Sequence, residues 1–317
     1  MILSQENRQP VKVICILGPT SSGKSEAANR IARLLETEIV SADAFQVYKG
    51  MDIGTSKPDE VTQQQIPYHL IDVVRPDETF NVSDWVNLAS SAIQEIHKKG
   101  KIPIICGGTG MYVRALLSNW TLAETPRDQK IRDELEARAE TEGKESLWNE
   151  LQRIDAEAAL RIHPNDLYRI TRALEVFYCS GIPFSQLRTR EAAEDGNIYP
   201  VSFAFIWDRD VLNQRISTAV YRMVEQGLEK EVESLLEMGY SPDLNSMKGL
   251  GYREFCKVVT GEISRDQAID ETILKTKRYA KRQMTWFRRE EHIHWLSGDG
   301  YHLNELLDLI RSHICTV

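Results

Sequence analysis

A glycine-rich segment, GPTSSGKS, lies between the apolar run VKVICIL and a helical pattern that begins at Ser25. A short, continuous apolar run is typical of a strand buried on both faces. The segment fits G-x-x-x-x-G-K-[ST], whose glycines let backbone N–H groups point at phosphate oxygens where a helix begins. We therefore predict a P-loop of the ATP-binding type, with Lys24 neutralising phosphate charge and the Ser25 hydroxyl binding Mg²⁺. The predicted phosphate-binding residues are Gly18, Pro19, Thr20, Ser21, Ser22, Gly23, Lys24 and Ser25.

Strand and helix patterns alternate after this loop. TEIVSADAFQVY predicts a second strand ending near Asp43, and KIPIICGGTGMYVRALL predicts a third strand, a glycine turn and a helix. Between them, NVSDWVNLASSAIQEIHKKGK reads as a helix capped by Asn81 or Ser83. This alternation predicts an α/β fold, a P-loop NTPase-like parallel sheet flanked by helices.

From about Leu122 the chain becomes charged, helical by period and poor in strands, until Gly181-Ile182-Pro183 ends the last helix of the block. A strand pattern returns at PVSFAFIWD, and helices then lead to a short last strand in EHIHWLS. A helical block between strands of one core favours an inserted all-helical domain. We place this domain at residues 122–198, and the catalytic core at residues 1–121 and 199–317.

Composition limits the cellular setting. No apolar run approaches the roughly 18–20 residues needed to span a bilayer, and the polar N-terminus MILSQENRQP lacks the core of a secretory signal. We therefore expect a cytoplasmic protein without membrane association.

The five cysteines are scattered and form no CxxC pair, which indicates reduced thiols and no zinc site. A net charge of −8 disfavours a nucleic-acid partner unless basic residues are clustered.

Polar loops follow the second and third predicted strands. Ligands bind beyond the carboxyl ends of the strands in an open parallel sheet. We therefore expect Asp43, and Thr109 in the segment CGGTG, to lie beside the phosphate loop. From its spacing alone, Asp43 could be a metal ligand, a general base or a cap for the next helix.

Two clusters of basic residues occur in this chain despite its net negative charge. In KTKRYAKRQMTWFRR, Lys277, Lys281 and Arg288 share one helical face, and aromatic residues interleave with them as in surfaces that stack bases. The alternative is a solvated helix face with core aromatics. The second cluster, Arg161, Arg169 and Arg172, lies in the helical block. Together the two clusters favour a bound polyanion.

The segments GPTSSGKS, SADAFQVYKGMDIGTSKP, CGGTGMYVRALL, DLYRITRALEVF, GLGYREF and KRYAKRQMTWFRR occur in this order. Together they resemble the bacterial tRNA dimethylallyltransferases (the tRNA isopentenyltransferase family) over about residues 13–296. SADAFQVYKGMDIGTSKP is the most specific segment, because ordinary P-loop kinases lack it. No Cys/His pattern follows Leu296, so we do not expect the zinc finger of the eukaryotic forms.

The resemblance implies a reaction and partners. The family transfers dimethylallyl from dimethylallyl diphosphate to N6 of the adenosine 3′-adjacent to the anticodon in tRNA, and it uses Mg²⁺. A P-loop core carries the chemistry, and a helical insertion contacts the anticodon stem-loop. We expect this protein to be a monomer.

The resemblance also implies roles for single residues. The Gly18–Ser25 loop holds the diphosphate leaving group, Asp43 matches the base at N6, and Thr109 positions the reacting groups. Either Arg215 or Arg222 faces the diphosphate. The implied tRNA-binding residues are Asp43, Ala44, Phe45, Gln46, Thr109, Arg132, Tyr168, Arg169, Ile170, Thr171, Arg172, Lys248, Gly249, Leu250, Gly251, Tyr252, Arg253, Lys281, Arg282, Gln283, Met284, Thr285, Trp286, Phe287 and Arg288.

Three other functions would each explain part of the sequence. A small-molecule P-loop kinase would explain the phosphate loop but not the helical block or DAFQVYKGMDIGT. A prenyltransferase acting on free adenine nucleotides would not need the arginines of that block. A non-catalytic RNA-binding protein that uses nucleotide as a switch predicts no chemistry at Asp43.

Overall fold

The computed structural model of the protein describes residues 10–117, 128–187, 198–299 and 303–314. The chain divides into two compact units, the core unit of residues 1–117 with 195–317 and the helical unit of residues 118–194. The helical unit begins and ends four residues earlier in the sequence than the insertion predicted at residues 122–198. Both junctions fall outside the described residues.

The core unit is built on a parallel sheet. Its strands, in chain order, are β1 Val11–Leu17, β2 Ile39–Ala42, β3 Tyr68–His69, β4 Ile104–Gly107, β5 Ile198–Ile206 and β6 Ile293–Ser297. Among the described residues, they pair in the order β3-β2-β4-β1-β5-β6, and every pair is parallel. This confirms the predicted fold class. The short strand β3 was not predicted.

Helices cover both faces of this sheet. Those of the core unit are α1 Lys24–Leu34, α2 Glu60–Gln65, α3 Val82–Lys98, α4 Gly110–Leu117, α10 Arg209–Gln226, α11 Leu228–Glu237, α12 Tyr252–Val259, α13 Arg265–Phe287 and α14 Leu303–Ile314, with a short 3-10 helix at Ser246–Lys248. Alternate residues of β1 face opposite cores: Val13 and Cys15 pack with α3 and α4, while Ile14 and Ile16 pack with α1 and α14. Burial on both faces explains why the strand reads as one continuous apolar run.

Local signals set the helix ends. Asn81, the first of the two predicted caps, accepts hydrogen bonds from the backbone N–H groups of Ser83 and Asp84 and so begins α3. Gly181 ends α8 (Leu167–Ser180) in the left-handed conformation, with φ +71°. Glycine adopts that conformation without steric cost, so the predicted stop at this residue is confirmed.

Within residues 128–187, the part of the helical unit that the structure describes, every regular element is a helix. Its other helices are α5 Gln129–Thr141, α6 Lys144–Ile154, α7 Ala156–Arg161 and α9 Phe184–Leu187. Leu135, Leu147, Leu151 and Leu174 form its own apolar core. In neither unit does a described helix combine the length and the apolar character that a membrane span requires.

The register of the sheet brings the polar loops together. Gly107, the last residue of β4, pairs with Leu17 of β1 on one side and with Ala42 of β2 on the other. Three neighbouring strands therefore end at the same level. The residues that follow them, Gly18, Asp43 and Gly108, begin adjacent loops at one edge of the sheet.

Candidate active site

The phosphate loop has the backbone that its glycines require. Gly18 has φ +147° and Gly23 has φ +90°, both in the region that disfavours side chains. A Cβ atom on Gly18 would also lie 2.8 Å from the Ser22 hydroxyl. Because α1 begins at Lys24, the loop amides precede a helix N-terminus, where anions bind favourably.

Lys24 is arranged to receive an anion. Its ammonium group donates a hydrogen bond to the Pro19 carbonyl oxygen over 3.2 Å. Burial lowers the pKa of Lys24 from the ordinary 10.5, because it disfavours the charged form, and the Asp43 carboxylate partly offsets this effect. A bound phosphate group would restore the charge balance and favour the ammonium form.

The oxygen donors fit a Mg²⁺ ion that is held partly by phosphate. Ser25 lies exposed in the first turn of α1, and both its hydroxyl and the Asp43 carboxylate line the same cavity. Among the described residues, no group of three or more His, Cys, Asp or Glu side chains could hold a metal alone. Mg²⁺ in phosphate-binding enzymes needs only one or two protein oxygens, because substrate phosphates and water complete its coordination.

Asp43 follows β2 directly. Its Oδ1 accepts hydrogen bonds from the backbone N–H groups of Phe45, at 2.9 Å, and Gln46, at 3.4 Å. One carboxylate oxygen therefore stabilises the turn, as in the cap alternative. In the described part of the chain Oδ2 has no hydrogen-bond partner, and the residue lines the cavity. Both a structural and a chemical role are compatible with this geometry.

Thr109 joins the two loops beside the phosphate loop. Its hydroxyl accepts from the Ala44 N–H group at 3.1 Å, and its own N–H group donates to the Ala42 carbonyl at 3.1 Å. Nearby lies the phenol of Tyr279, whose pKa burial and the Asp43 charge raise to about 12. Tyr279 was not predicted as a site residue, since nothing in the local pattern of α13 distinguishes it.

Gln283 connects the phosphate loop to the glycine turn after β4. Its side-chain carbonyl accepts from the Thr20 N–H group at 3.0 Å, and its amide nitrogen donates to the Gly108 carbonyl at 2.9 Å. A Cβ atom on Gly108 would lie 2.3 Å from that nitrogen. Only glycine allows this approach, so α13 fixes the positions of both loops.

A tryptophan and an arginine hold the phosphate loop from the other side. The indole of Trp207 donates to the Ser22 carbonyl at 3.0 Å, and Arg215 donates from Nε to the Ser21 carbonyl at 2.9 Å. The guanidinium stacks on the indole, 4.2 Å from the ring centroid. Arg215 and Arg222 both line the cavity. Of the two, Arg215 contacts the loop directly.

Lys24, Ser25, Asp43, Arg215 and Gln283 line one cavity of about 820 Å³ within the core unit, whereas Thr109 and Trp207 are not among its lining residues. Its volume lies in the range of small-molecule sites. The phosphate loop and Arg215 form one end, and Asp43, Gln46 and Tyr252 lie along the wall. The cavity could therefore hold a phosphate-bearing ligand and a second reacting group together.

The residues implied to contact tRNA differ widely in burial. The basic and aromatic pattern of α13 was interpreted as a stacking surface, but Phe287 is fully buried in the core between the sheet and α3. Trp286 is half-buried, and its ring occupies the space that a Cβ on Gly110 would need. Phe287 therefore packs as a core aromatic, and Trp286 does so in part. Ile170, Thr171 and Phe287 are buried side chains that do not line the cavity, whereas the buried Tyr252 and Gln283 do line it.

The charged residues divide into exposed and paired groups. On α13 and just beyond it, Lys281, Arg282 and Arg288 are exposed. In the helical unit, Arg132 and Arg172 instead hold the buried carboxylate of Glu175, at 3.1 and 2.7 Å. The other two arginines of the predicted cluster form exposed ion pairs, Arg161 with Glu157 and Arg169 with Asp166.

The parallel sheet, the phosphate loop and the carboxylate beside it define an α/β enzyme of the P-loop class that acts on a phosphate-bearing substrate. The family model described as IPP transferase matches residues 46–290, and that described as isopentenyl transferase matches residues 11–78. The chain belongs to the IPP transferase family, which confirms the resemblance seen in the sequence.

Individual relatives agree. The chain is 44% identical to tRNA dimethylallyltransferase 2 of Geotalea uraniireducens, over 92% of this chain and 94% of the relative. It is 41% identical to tRNA dimethylallyltransferase of Natranaerobius thermophilus, over 97% and 93%. Among solved structures, the full-length tRNA isopentenylpyrophosphate transferase of Bacillus halodurans has a TM-score of 0.69 at 36% identity, covering 96% of this chain and 95% of that one. A eukaryotic dimethylallyltransferase acting on tRNA reaches 0.81 at 26% identity, covering 96% and 80%.

Proposed function

We propose that this protein is a tRNA dimethylallyltransferase. It transfers a dimethylallyl group from dimethylallyl diphosphate to N6 of the adenosine 3′-adjacent to the anticodon in tRNA and releases diphosphate. The similar relatives and solved structures are named as tRNA dimethylallyltransferases or tRNA isopentenylpyrophosphate transferases, which supports the proposal. The observation that carries the proposal is a phosphate loop and an unshared carboxylate oxygen of Asp43 in one cavity.

The leaving group is the diphosphate. Loop amides, the Lys24 ammonium and the Arg215 guanidinium all lie at one end of the cavity, where they would stabilise the charge that grows as the C–O bond breaks. Mg²⁺, held by the Ser25 hydroxyl and diphosphate oxygens, would offset further charge when bound.

Asp43 is the proposed base. The lone pair of an adenine N6 is delocalised into the ring, so attack on the allylic carbon gains from a carboxylate that accepts the N6 proton. A C–N bond forms, the C–O bond of the diphosphate ester breaks, and the proton passes to Asp43. Thr109 and Tyr279 border the carboxylate and would orient the reacting groups.

The adenosine must leave its stack to reach a cavity inside the core unit. The exposed residues Lys281, Arg282 and Arg288 would contact tRNA phosphates, as would Lys248 and Arg253 near the 3-10 helix. In the helical unit the exposed Tyr168 would supply a stacking surface. We further propose a monomer in the cytoplasm, which the sequence and the resemblance support.

One assay tests the activity against its alternatives. Purified protein with Mg²⁺ is offered labelled dimethylallyl diphosphate together with unmodified tRNA, AMP or ATP. We expect label in tRNA alone. Equal or faster labelling of AMP would identify a free-nucleotide prenyltransferase, and phosphate transfer from ATP without prenylation would identify a kinase.

A second experiment separates the roles open to Asp43. Asp43→Asn keeps the size of the side chain but cannot accept the proton, so single-turnover transfer should fall about 10²–10⁴-fold while both substrates bind. Asp243→Asn, in an exposed loop, is the matched control. Recovery at high Mg²⁺ would make Asp43 a metal ligand, and normal rates at all Mg²⁺ concentrations would leave it a turn cap.

A further inference from the structure

The segment DIGTSKP, residues 52–58, is distinctive in sequence, yet neither phosphate binding nor RNA binding accounts for it. It lies outside the regular helices and strands. Gly54, Thr55, Ser56 and Pro58 nevertheless form part of the cavity wall. Something must hold this irregular backbone in place if the wall is to keep its shape.

Glu231 of α11 holds it. Its carboxylate accepts hydrogen bonds from three successive backbone N–H groups, those of Asp52 at 3.0 Å, Ile53 at 2.9 Å and Gly54 at 3.4 Å. A fourth donor is the Tyr252 hydroxyl, at 2.5 Å. Hydrogen bonds to a charged acceptor are roughly twice as strong as neutral ones, so this carboxylate fixes the first turn of the segment.

Tyr252 and Gly54 fit one another closely. The ring of Tyr252 is 1% exposed, and the Gly54 N–H group also donates to its hydroxyl, at 3.2 Å. A Cβ atom at position 54 would lie 2.4 Å from the ring. Burial and the Glu231 charge raise the pKa of the phenol, which keeps it protonated as a donor. The glycine of the motif is therefore needed for the backbone to lie on the ring.

The segment in turn holds Gln46. The carbonyl oxygens of Thr55 and Ser56 accept from the Gln46 amide nitrogen at 3.1 and 3.3 Å. The other end of this amide accepts from the Ser41 hydroxyl at 2.8 Å. Since the backbone N–H group of Gln46 donates to Asp43 Oδ1, the segment, Gln46 and the proposed base form one connected network.

We infer that Glu231 is a positioning residue for Asp43, acting through residues 52–56 and Gln46. This inference rests on the proposed role of Asp43 as the base. Glu231 is not among the residues that line the cavity. Its carboxylate sets the backbone whose carbonyls hold Gln46, and Gln46 sets the turn that orients Asp43.

The test is Glu231→Gln, in which a neutral amide replaces the acceptor of four donors. Single-turnover transfer to tRNA should fall about 10- to 100-fold, the loss expected when reacting groups are misplaced by about 1 Å. The affinity for dimethylallyl diphosphate should stay within about twofold of wild type, because among the described residues no hydrogen bond joins the phosphate loop to this network. Glu233→Gln, exposed on the same helix, removes the same charge and should change neither quantity.

A double-mutant cycle with Gln46→Ala identifies the route. If Glu231 acts through Gln46, the double variant should lose little more than Gln46→Ala alone, whereas independent effects add. Additive losses, or a normal rate in Glu231→Gln, would overturn the inference. If Glu231→Gln folds poorly, Tyr252→Phe, which removes only one of the donors to Glu231, replaces it in the double-mutant cycle with Gln46→Ala. A fully active Asp43→Asn would overturn the proposed base itself, whereas an inactive Asp43→Asn beside a normal Glu231→Gln would overturn only the positioning role.

Discussion

Gln283 is the residue whose replacement should disturb the site most broadly, because its amide joins the phosphate loop to the turn after β4. It is 6% exposed, and both of its partners are backbone groups, Thr20 N–H and Gly108 C=O. Gln283→Leu introduces an apolar side chain of similar size and removes both hydrogen bonds. The Thr20 N–H group would then lose its partner, whereas the Gly108 carbonyl still accepts from the Gly110 N–H group, at 3.1 Å.

The magnitude follows from the Thr20 N–H group. A buried donor left without a partner costs about 1–3 kcal/mol, so the variant should be about 1–2 kcal/mol less stable, because Thr20 borders the cavity and lies near the lower bound. The freed Thr20 segment belongs to the anion-binding loop. A loss of about 1.4 kcal/mol there corresponds to a tenfold weaker affinity for diphosphate.

Chemical denaturation measures the first quantity and calorimetric titration with Mg²⁺ and diphosphate the second. Gln226→Leu, at the exposed end of α10, is the control and should change neither. Wild-type stability together with wild-type diphosphate affinity in Gln283→Leu would refute the reasoning. Loss of stability alone would show that the loop keeps its shape without Gln283.

Other predictions follow from the site. Diphosphate affinity should fall as the pH rises through the lowered pKa of Lys24, since only the ammonium form attracts the anion. Titration with diphosphate at several pH values should show that Lys24→Ala loses this dependence. The same variant should transfer dimethylallyl about 10²-fold more slowly. Ser25→Ala should raise the Mg²⁺ concentration needed for half-maximal transfer. Arg282→Ala should weaken tRNA binding and flatten its salt dependence, measured by filter binding at several salt concentrations, with no change expected for dimethylallyl diphosphate. Arg172→Ala should flatten it less, because Arg172 already pairs with Glu175.

Much of the fold could be predicted because the strands and loops of the core unit have recognisable local sequence patterns. Strands buried on both faces appear as apolar runs, and the loops after β1, β2 and β4 carry glycines and polar residues at the points where the strands end. The strand β3 could not be seen, since two residues, Tyr68 and His69, make no run. Its pairing depends on β2 in the folded chain.

The candidate site, like the fold, could be predicted only in part. Asp43 and Thr109 follow strands, so the rule for parallel sheets placed them beside the phosphate loop. Gln283 and Trp207 contact that loop from 263 and 185 residues away, and no spacing rule reaches so far. The resemblance implied a tRNA contact for Gln283, and the structure shows in addition that its amide joins the two loops. A helix pattern shows periodicity but not which face is covered, so this second role could not be predicted.

Charge is the property that local sequence describes least well. The arginines of the helical unit suggested a second phosphate-binding patch, yet Glu175, buried and 2% exposed, takes both Arg132 and Arg172 as partners. A buried carboxylate needs such partners, because desolvation without them costs several kcal/mol. Part of the apparent positive charge is thus committed within the protein. The exposed residues Arg282 and Arg288 have no described ion pair, so each phosphate they neutralise should contribute nearly its full share to the salt dependence of tRNA binding.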